Sequence, residues 1–240
     1  MDRKSNNDKI ILDLCGGTGA WSKPYKDAGY DVRLITLLEY DVRTYEPPEN
    51  VYGILAAPPC TEFSFARTNA KKLRDFREAM SMVRACLEII WKCQYEPVSN
   101  YAKYTRLKFW ALENPNRGLL KNFLGEPWYV FNPWEFGDMY KKETGLWGNF
   151  KEPKKSIEQR NGKLYSLSPS KASIEKARTN PKSMKKFDYL LMGELVELKS
   201  MTGRSKDKMK DESWKNTKTR QTLRGITPAG FAKAFFEANQ

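Results

Sequence analysis

Short apolar runs alternate with amphipathic stretches along the first 150 residues. Lys9-Ile10-Ile11-Leu12-Asp13-Leu14 is a compact apolar run that stops at CGGTG. AWSKPYKDAG follows with a helical pattern, and DVRLIT reads as a second strand. The succession strand, glycine turn, helix, strand predicts the opening of a βαβ unit. YGILAA supplies a further strand. Beyond it, Leu73, Phe76, Met80, Val83, Leu87 and Ile90 recur at helical spacing among Lys, Arg and Glu. That spacing predicts a long amphipathic helix, with Cys86 and Cys93 as packing residues on or near it. Phe109-Trp110-Ala111-Leu112 reads as a buried strand running into ENPNRG, and WYVFNPWEF as another strand. Alternation of this kind predicts an α/β sheet with helices on both faces.

The pattern changes near residue 151. Lys151 to Thr222 holds 19 Lys and Arg against 9 Asp and Glu, a net +10 of the chain's +13. FDYLLMGELVEL, Phe187 to Leu198, is its one convincing apolar element. The rest reads as a basic insertion in the α/β core. Order returns with ITPAGFAKAFFEAN. Thr227 is the expected N-cap, Pro228 the first helical residue, and Phe231, Ala234, Phe235 and Ala238 one apolar face. The expected organisation is an α/β domain over 1–150, a basic insertion over 151–222, and a returning helix over 223–240.

Composition narrows the chemistry. A length of 240 residues suits one sizeable domain. The N-terminus is polar and no apolar run approaches membrane-spanning length, so a cytoplasmic protein is expected. A net charge of +13 favours an anionic partner, nucleic acid ahead of a merely solvated lysine-rich surface. There is no histidine, and the four cysteines (15, 60, 86 and 93) are scattered. Cys/His zinc sites and serine–histidine or cysteine–histidine catalysis are thereby excluded, and a four-cysteine metal site has the wrong spacing.

Four stretches carry candidate chemistry. DLCGGTGAWS places glycines between a strand and a helix, where backbone can approach a ligand closely; a tight packing turn is the other reading. It is neither a dinucleotide fingerprint nor a phosphate-cradling loop. Asp13, before the turn, suits a ligand with an amino group. After the second strand, Glu39 and Asp41 are either acids that hold a ribose or solvated turn carboxylates. In AAPPCTEFS two prolines stiffen a strand exit and present Cys60, with Arg67, Lys71 and Lys72 near in sequence to favour its thiolate. A buried structural thiol is the competing reading. In LENPN, Glu113 sits at a strand end as a proton donor to a bound ring, or as an ion-paired or capping glutamate.

These segments, in this order, resemble the cytosine carbon-5 DNA methyltransferases. DLCGGTGAWS resembles that family's first cofactor motif, AAPPCTEFS its catalytic Pro-Cys loop with the following Phe-Ser, and LENPN its Glu-Asn motif. Asp41-Val42 resembles the short motif that contacts the cofactor adenine, and GFAKAFFEAN resembles the closing helix. The resemblance implies a Rossmann-like class I S-adenosylmethionine-dependent methyltransferase sheet with a small basic insertion. It implies Cys60 as nucleophile, Glu113 as partner of ring nitrogen 3, and Asn114 as support of the loop. It implies a cofactor site lined by Asp13, Gly16, Gly17, Gly19, Trp21, Glu39, Asp41 and Pro58. Ser64, Arg67 and Lys141 are the expected substrate contacts. The implied partners are S-adenosylmethionine and DNA with its target cytosine flipped out of the stack. No metal and no membrane are expected, and the chain is taken as a monomer.

The chain departs from the family pattern at three places. Thr61 follows the cysteine where the family has Gln, and Pro115 follows Glu-Asn where it has Val. MYKKETGLWGNF stands where an arginine-bearing motif is expected and offers only Lys141 and Lys142, of which Lys142 is taken as catalytic. Lysine supplies charge without a planar fork. Residues 151–222 correspond to a reduced recognition region. The same chemistry on RNA, an amino-group methyltransferase, a non-catalytic nucleic-acid-binding relative and a basic structural protein are the alternatives. The setting is a restriction–modification system or a solitary phage-type enzyme.

Overall fold

A computed structural model describes residues 6–37, 39–65, 67, 72–95, 107–138, 140–160, 163–166 and 225–240, with 160 and 163–166 described by backbone alone. Lys71 and the apolar stretch 187–198 lie outside these residues. Strands β1 (Ile10–Leu14), β2 (Asp31–Ile35), β3 (Val51–Ala56), β4 (Phe109–Pro115), β5 (Tyr129–Phe131) and β6 (Thr144–Asn149) form one sheet. The order across it is β2-β1-β3-β4-β6-β5. The pairs β1–β2, β1–β3 and β3–β4 are parallel, whereas β6 is antiparallel to both β4 and β5. A separate hairpin pairs β7 (Ile157–Arg160) with β8 (Lys163–Ser166).

The central strands are buried on both faces, which is why they read as continuous apolar runs. Their two-residue period divides the core. Leu12, Leu14, Ile54, Ala56 and Leu112 pack with helix α2 (Phe76–Tyr95) through Val83, Cys86 and Ile90. Ile11, Leu55, Phe109 and Ala111 pack on the opposite face with Tyr25 of helix α1 (Lys23–Asp27) and with Phe231 and Phe235 of the C-terminal helix. A short helix α3 (Lys121–Leu124) and a 3₁₀ turn (Pro133–Phe136) flank β5, and the C-terminal helix α4 spans Ala229–Ala238.

Several local expectations shift. The first helix is confined to Lys23–Asp27, because the glycine turn runs on through Ser22. Leu73 lies ahead of α2 and is 89% exposed; of the expected positions the helix buries Val83 and Ile90, joined by Ala79 and Met82. WYVFNPWEF is a strand only over Tyr129–Phe131, since Pro133 opens the 3₁₀ turn. β6 and the β7–β8 hairpin had no strand assignment from the sequence. Thr227 does not cap α4: Pro228 occupies the N-cap, and the buried carboxylate of Asp138 accepts the Gly230 N–H at 2.9 Å. Residues just past 150 are tied to the core. Lys151 N–H donates to Asn239 Oδ1 at 2.8 Å, Asn239 Nδ2 returns a bond to the Lys151 carbonyl at 3.0 Å, and Ile157 is buried.

Candidate active site

β2 and β3 flank β1 on opposite sides, so the strand order reverses at β1. In open parallel sheets the crevice beyond the carboxyl ends of the strands at such a reversal is where ligands bind. Here the two segments leaving that point are the glycine turn, from β1, and Ala57-Pro58-Pro59-Cys60, from β3. They line one cleft of about 180 Å³ with Asp13, Glu113, Lys142 and Ile226.

Each wall follows from local structure. Cys15 leaves β1 with φ 55°, Gly17 continues with φ 57° and Gly19 with φ 70°, all in the left-handed region that glycine adopts most easily. Gly16 is required for a different reason: a Cβ there would sit 2.3 Å from the carboxyl carbon of Asp13. Asp13 is fully buried beneath the turn. Its Oδ2 accepts a 2.5 Å hydrogen bond from the Ser22 hydroxyl, while Oδ1 has no protein partner. Burial pushes its pKa up from 3.8 to about 6, against the lowering effect of Ser22. The Cys15 thiol hydrogen-bonds Cys86 on α2, and that bond together with burial pushes the Cys86 thiol well above its ordinary pKa. Cys86 is thus a buried packing thiol in the core cluster against which Cys15 rests.

The opposite wall is set by register. Asp13 and Glu113 share the parity of Ile11 and Ala111, so both face the α1/α4 side. β4 and β6 pair Glu113 with Leu146 and Pro115 with Thr144. Lys142, two residues before Thr144, therefore arrives at the end of β4. Its Nζ lies 3.2 Å from Glu113 Oε1, with the two side chains 14% and 16% exposed. Asn114 points to the other face, where its Nδ2 donates to the Pro58 carbonyl at 3.1 Å. One two-residue segment thus touches both the cation of the cleft and the loop that carries the thiol. Cys60 begins a tight turn, its carbonyl accepting the N–H groups of Phe63 at 3.1 Å and Ser64 at 2.8 Å. Buried Phe63, among Phe76 and Phe123, anchors that turn.

The remaining sequence candidates fall in two groups. Gly16, Gly17, Trp21 and Pro58 line the cleft with Asp13. Trp21 is 2% exposed and packs against Phe231 and Phe235 at ring distances of 5.9 and 5.4 Å. Gly19 shapes the turn without lining the cleft. Glu39, Asp41, Ser64, Arg67 and Lys141 are not among the cleft residues. Asp41 is paired with Arg43 at 2.5 Å, which holds its carboxyl below the usual range. Arg67 is ion-paired with Glu62 and donates to the Lys72 carbonyl at 2.8 Å, so its charge is directed at the loop beyond Cys60. Sequence reasoning missed Cys15, Thr18, Ile226 and Thr227 as cleft residues. Cys15 and Thr18 stand inside the quoted glycine motif. Ile226 and Thr227 carry no local signal, because docking of α4 alone brings them there.

No family model matches the chain, and no curated protein matches it. Among the described residues, no helix is long and apolar enough to cross a membrane, and no group of three or more Cys, Asp or Glu is placed to hold a metal ion.

Proposed function

We propose that this protein is an S-adenosylmethionine-dependent methyltransferase of Rossmann-like class I fold that acts on carbon 5 of cytosine in DNA. The observation that carries the proposal is the single cleft, at the strand reversal, in which the Cys60 turn and the Glu113–Lys142 pair face the glycine turn. The mostly parallel sheet is compatible with that fold. The donors present suit the cofactor: Asp13 offers an unpartnered buried oxygen, and Gly16 leaves the backbone open to close approach. Bound there, S-adenosylmethionine would supply an electrophilic methyl group.

The protein's own part is to make the ring carbon nucleophilic. The Cys60 thiolate adds to ring carbon 6, and the electron pair displaced onto carbon 5 makes that carbon reactive. Glu113 in its protonated form donates a hydrogen bond to ring nitrogen 3, while Lys142 Nζ holds its other oxygen in place. Asn114 fixes Pro58 and so the distance between thiol and ring. Once carbon 5 carries the methyl group, its proton passes to solvent, and the electron pair of that C–H bond restores the 5,6 double bond as the thiolate leaves. The absence of histidine is no obstacle to this chemistry.

Transfer of labelled methyl groups to mixed-sequence DNA, with RNA in parallel, tests the proposal. Label on carbon 5 of cytosine, lost in Cys60→Ala, is expected. Label on RNA alone would move the same chemistry to that substrate. A non-catalytic, nucleic-acid-binding relative is the second reading, favoured by a lysine cation already engaged with Glu113 where the family pattern has arginine. Cofactor binding with no transfer and no covalent trapping on a fluorinated cytosine would favour it.

A further inference from the structure

Two arginines outside the cleft grip the loop beyond Cys60. Arg74, just ahead of α2, donates from Nη1 to the Glu62 carbonyl and from Nη2 to the Ser64 carbonyl at 3.0 Å. The Glu62 carboxylate in turn accepts from Arg67 and, at 3.1 Å, from the Asp75 N–H. Arg67 also reaches the Lys72 carbonyl at 2.8 Å. Glu62, Ser64 and Arg67 are therefore fastened to residues 72–75, Glu62 through both its backbone and its side chain. Neither arginine lines the cleft.

Resting on the methyltransferase reading, we propose that Arg74 is a positioning residue for Cys60. Its planar fork spans two carbonyls of the turn whose first carbonyl belongs to Cys60. Rotation of that turn would swing the thiol relative to Glu113, and the guanidinium opposes the rotation. A lysine ammonium is a point charge on a flexible stem without that planar fork, so it holds the two carbonyls less rigidly. The glycine turn is fastened separately, by the Ser22 hydroxyl to Asp13 and by the Cys15 N–H to the Ile35 carbonyl at 2.8 Å, so loosening the grip leaves the cofactor side intact.

The test compares wild type, Arg74→Ala and Arg74→Lys as full chains. Three quantities are read: kcat and KM for methyl transfer, alkylation of Cys60 by iodoacetamide, and amide hydrogen exchange at Phe63 and Ser64. Arg74→Ala is expected to lower kcat by about 10- to 100-fold, with KM for S-adenosylmethionine within about twofold. Exchange at Phe63 and Ser64 speeds up and alkylation of Cys60 changes, with Arg74→Lys closer to Arg74→Ala than to wild type. Unchanged kcat overturns the proposal, whatever the exchange does. A fall in kcat without faster exchange also overturns it, because Arg74 would then act by another route. A wild type that transfers no methyl group to DNA or RNA counts against the methyltransferase reading instead. Exchange and alkylation then decide the grip by themselves, and no change in either sinks it.

Discussion

Asp13 concentrates the electrostatic cost of the site. A carboxyl with pKa near 6 in the folded protein and 3.8 as its ordinary value binds its proton more tightly when folded. Its contribution to stability is therefore full below pH 4 and is lost as pH rises through 6. Asp13→Asn removes that dependence. Between about pH 4 and pH 7.5 the variant should gain about 3 kcal/mol relative to wild type, read from urea unfolding at the two pH values. An equal difference at both would show that Asp13 is not desolvated as its burial implies. Lys142 and Asn114 carry the other residue-scale expectations. If the proposed methyl transfer is the activity, Lys142→Met, which leaves Glu113 without its cation, should lower it by about 100-fold, whereas Lys142→Arg keeps the charge and should retain most of it. Asn114→Ala releases the Pro58 carbonyl and should reduce kcat by a similar factor of about 100. Steady-state assays with matched cofactor-binding measurements check both. Cys60, Glu113 and Asn114 were legible because prolines stand beside them, Cys60 just beyond β3 and Glu113-Asn114 in the last residues of β4. That Asn114 reaches Pro58 was not, since 56 positions separate them.

At the scale of elements, α4 decides whether the cleft is closed on one side. Phe231 stacks on Phe131 with ring centroids 3.9 Å apart, and Phe235 meets Trp21, Phe109 and Phe150. Tyr25 donates its hydroxyl to the Asn239 carbonyl at 3.3 Å, which fastens the far end to α1. Phe235→Ala should cost about 3–5 kcal/mol in denaturant unfolding, because a fully buried ring is removed from an aromatic cluster that cannot collapse around the space. Asp138→Ala, which leaves the Gly230 N–H at the helix start without its acceptor, should cost about 1 kcal/mol. The apolar face of α4 was readable from its spacing. Its cap was not: the sequence offers Thr227 next door, and the acceptor comes instead from 92 positions away. β6 was missed for a related reason. TGLWGN has glycines where a strand pattern wants side chains, and they are there because the backbones pack tightly. A Cβ on Gly148 would sit 2.1 Å from the Trp110 carbonyl oxygen.

For the molecule as a whole, charge is the largest unbalanced quantity. A net +13, most of it between residues 151 and 222, favours a polyanion. If DNA is that partner, binding releases counterions, and affinity should fall by about 10³-fold or more between 50 and 200 mM salt. Fluorescence anisotropy on a labelled duplex measures it, and a flat salt dependence would exclude phosphate contacts as the main source of binding. The strand reversal at β1 gathers a thiol, a carboxylate and an ammonium from β3, β4 and the approach to β6 in one place.

The sequence by itself determined the alternation of strands and helices, the two strand exits that bear the glycine turn and Cys60, and the apolar faces of α2 and α4. These are short-range properties, written in periods of two and 3.6 residues and in the backbone limits of glycine and proline. Only the tertiary structure decided the order of strands, the reversed direction of β6 that brings Lys142 to Glu113, and the separation of Asp41 and Arg67 from the cleft. The first two outcomes depend on pairings across tens of residues. Asp41 was drawn to Arg43, and Arg67 to Glu62, by ion pairs that no spacing rule distinguishes from solvated charge.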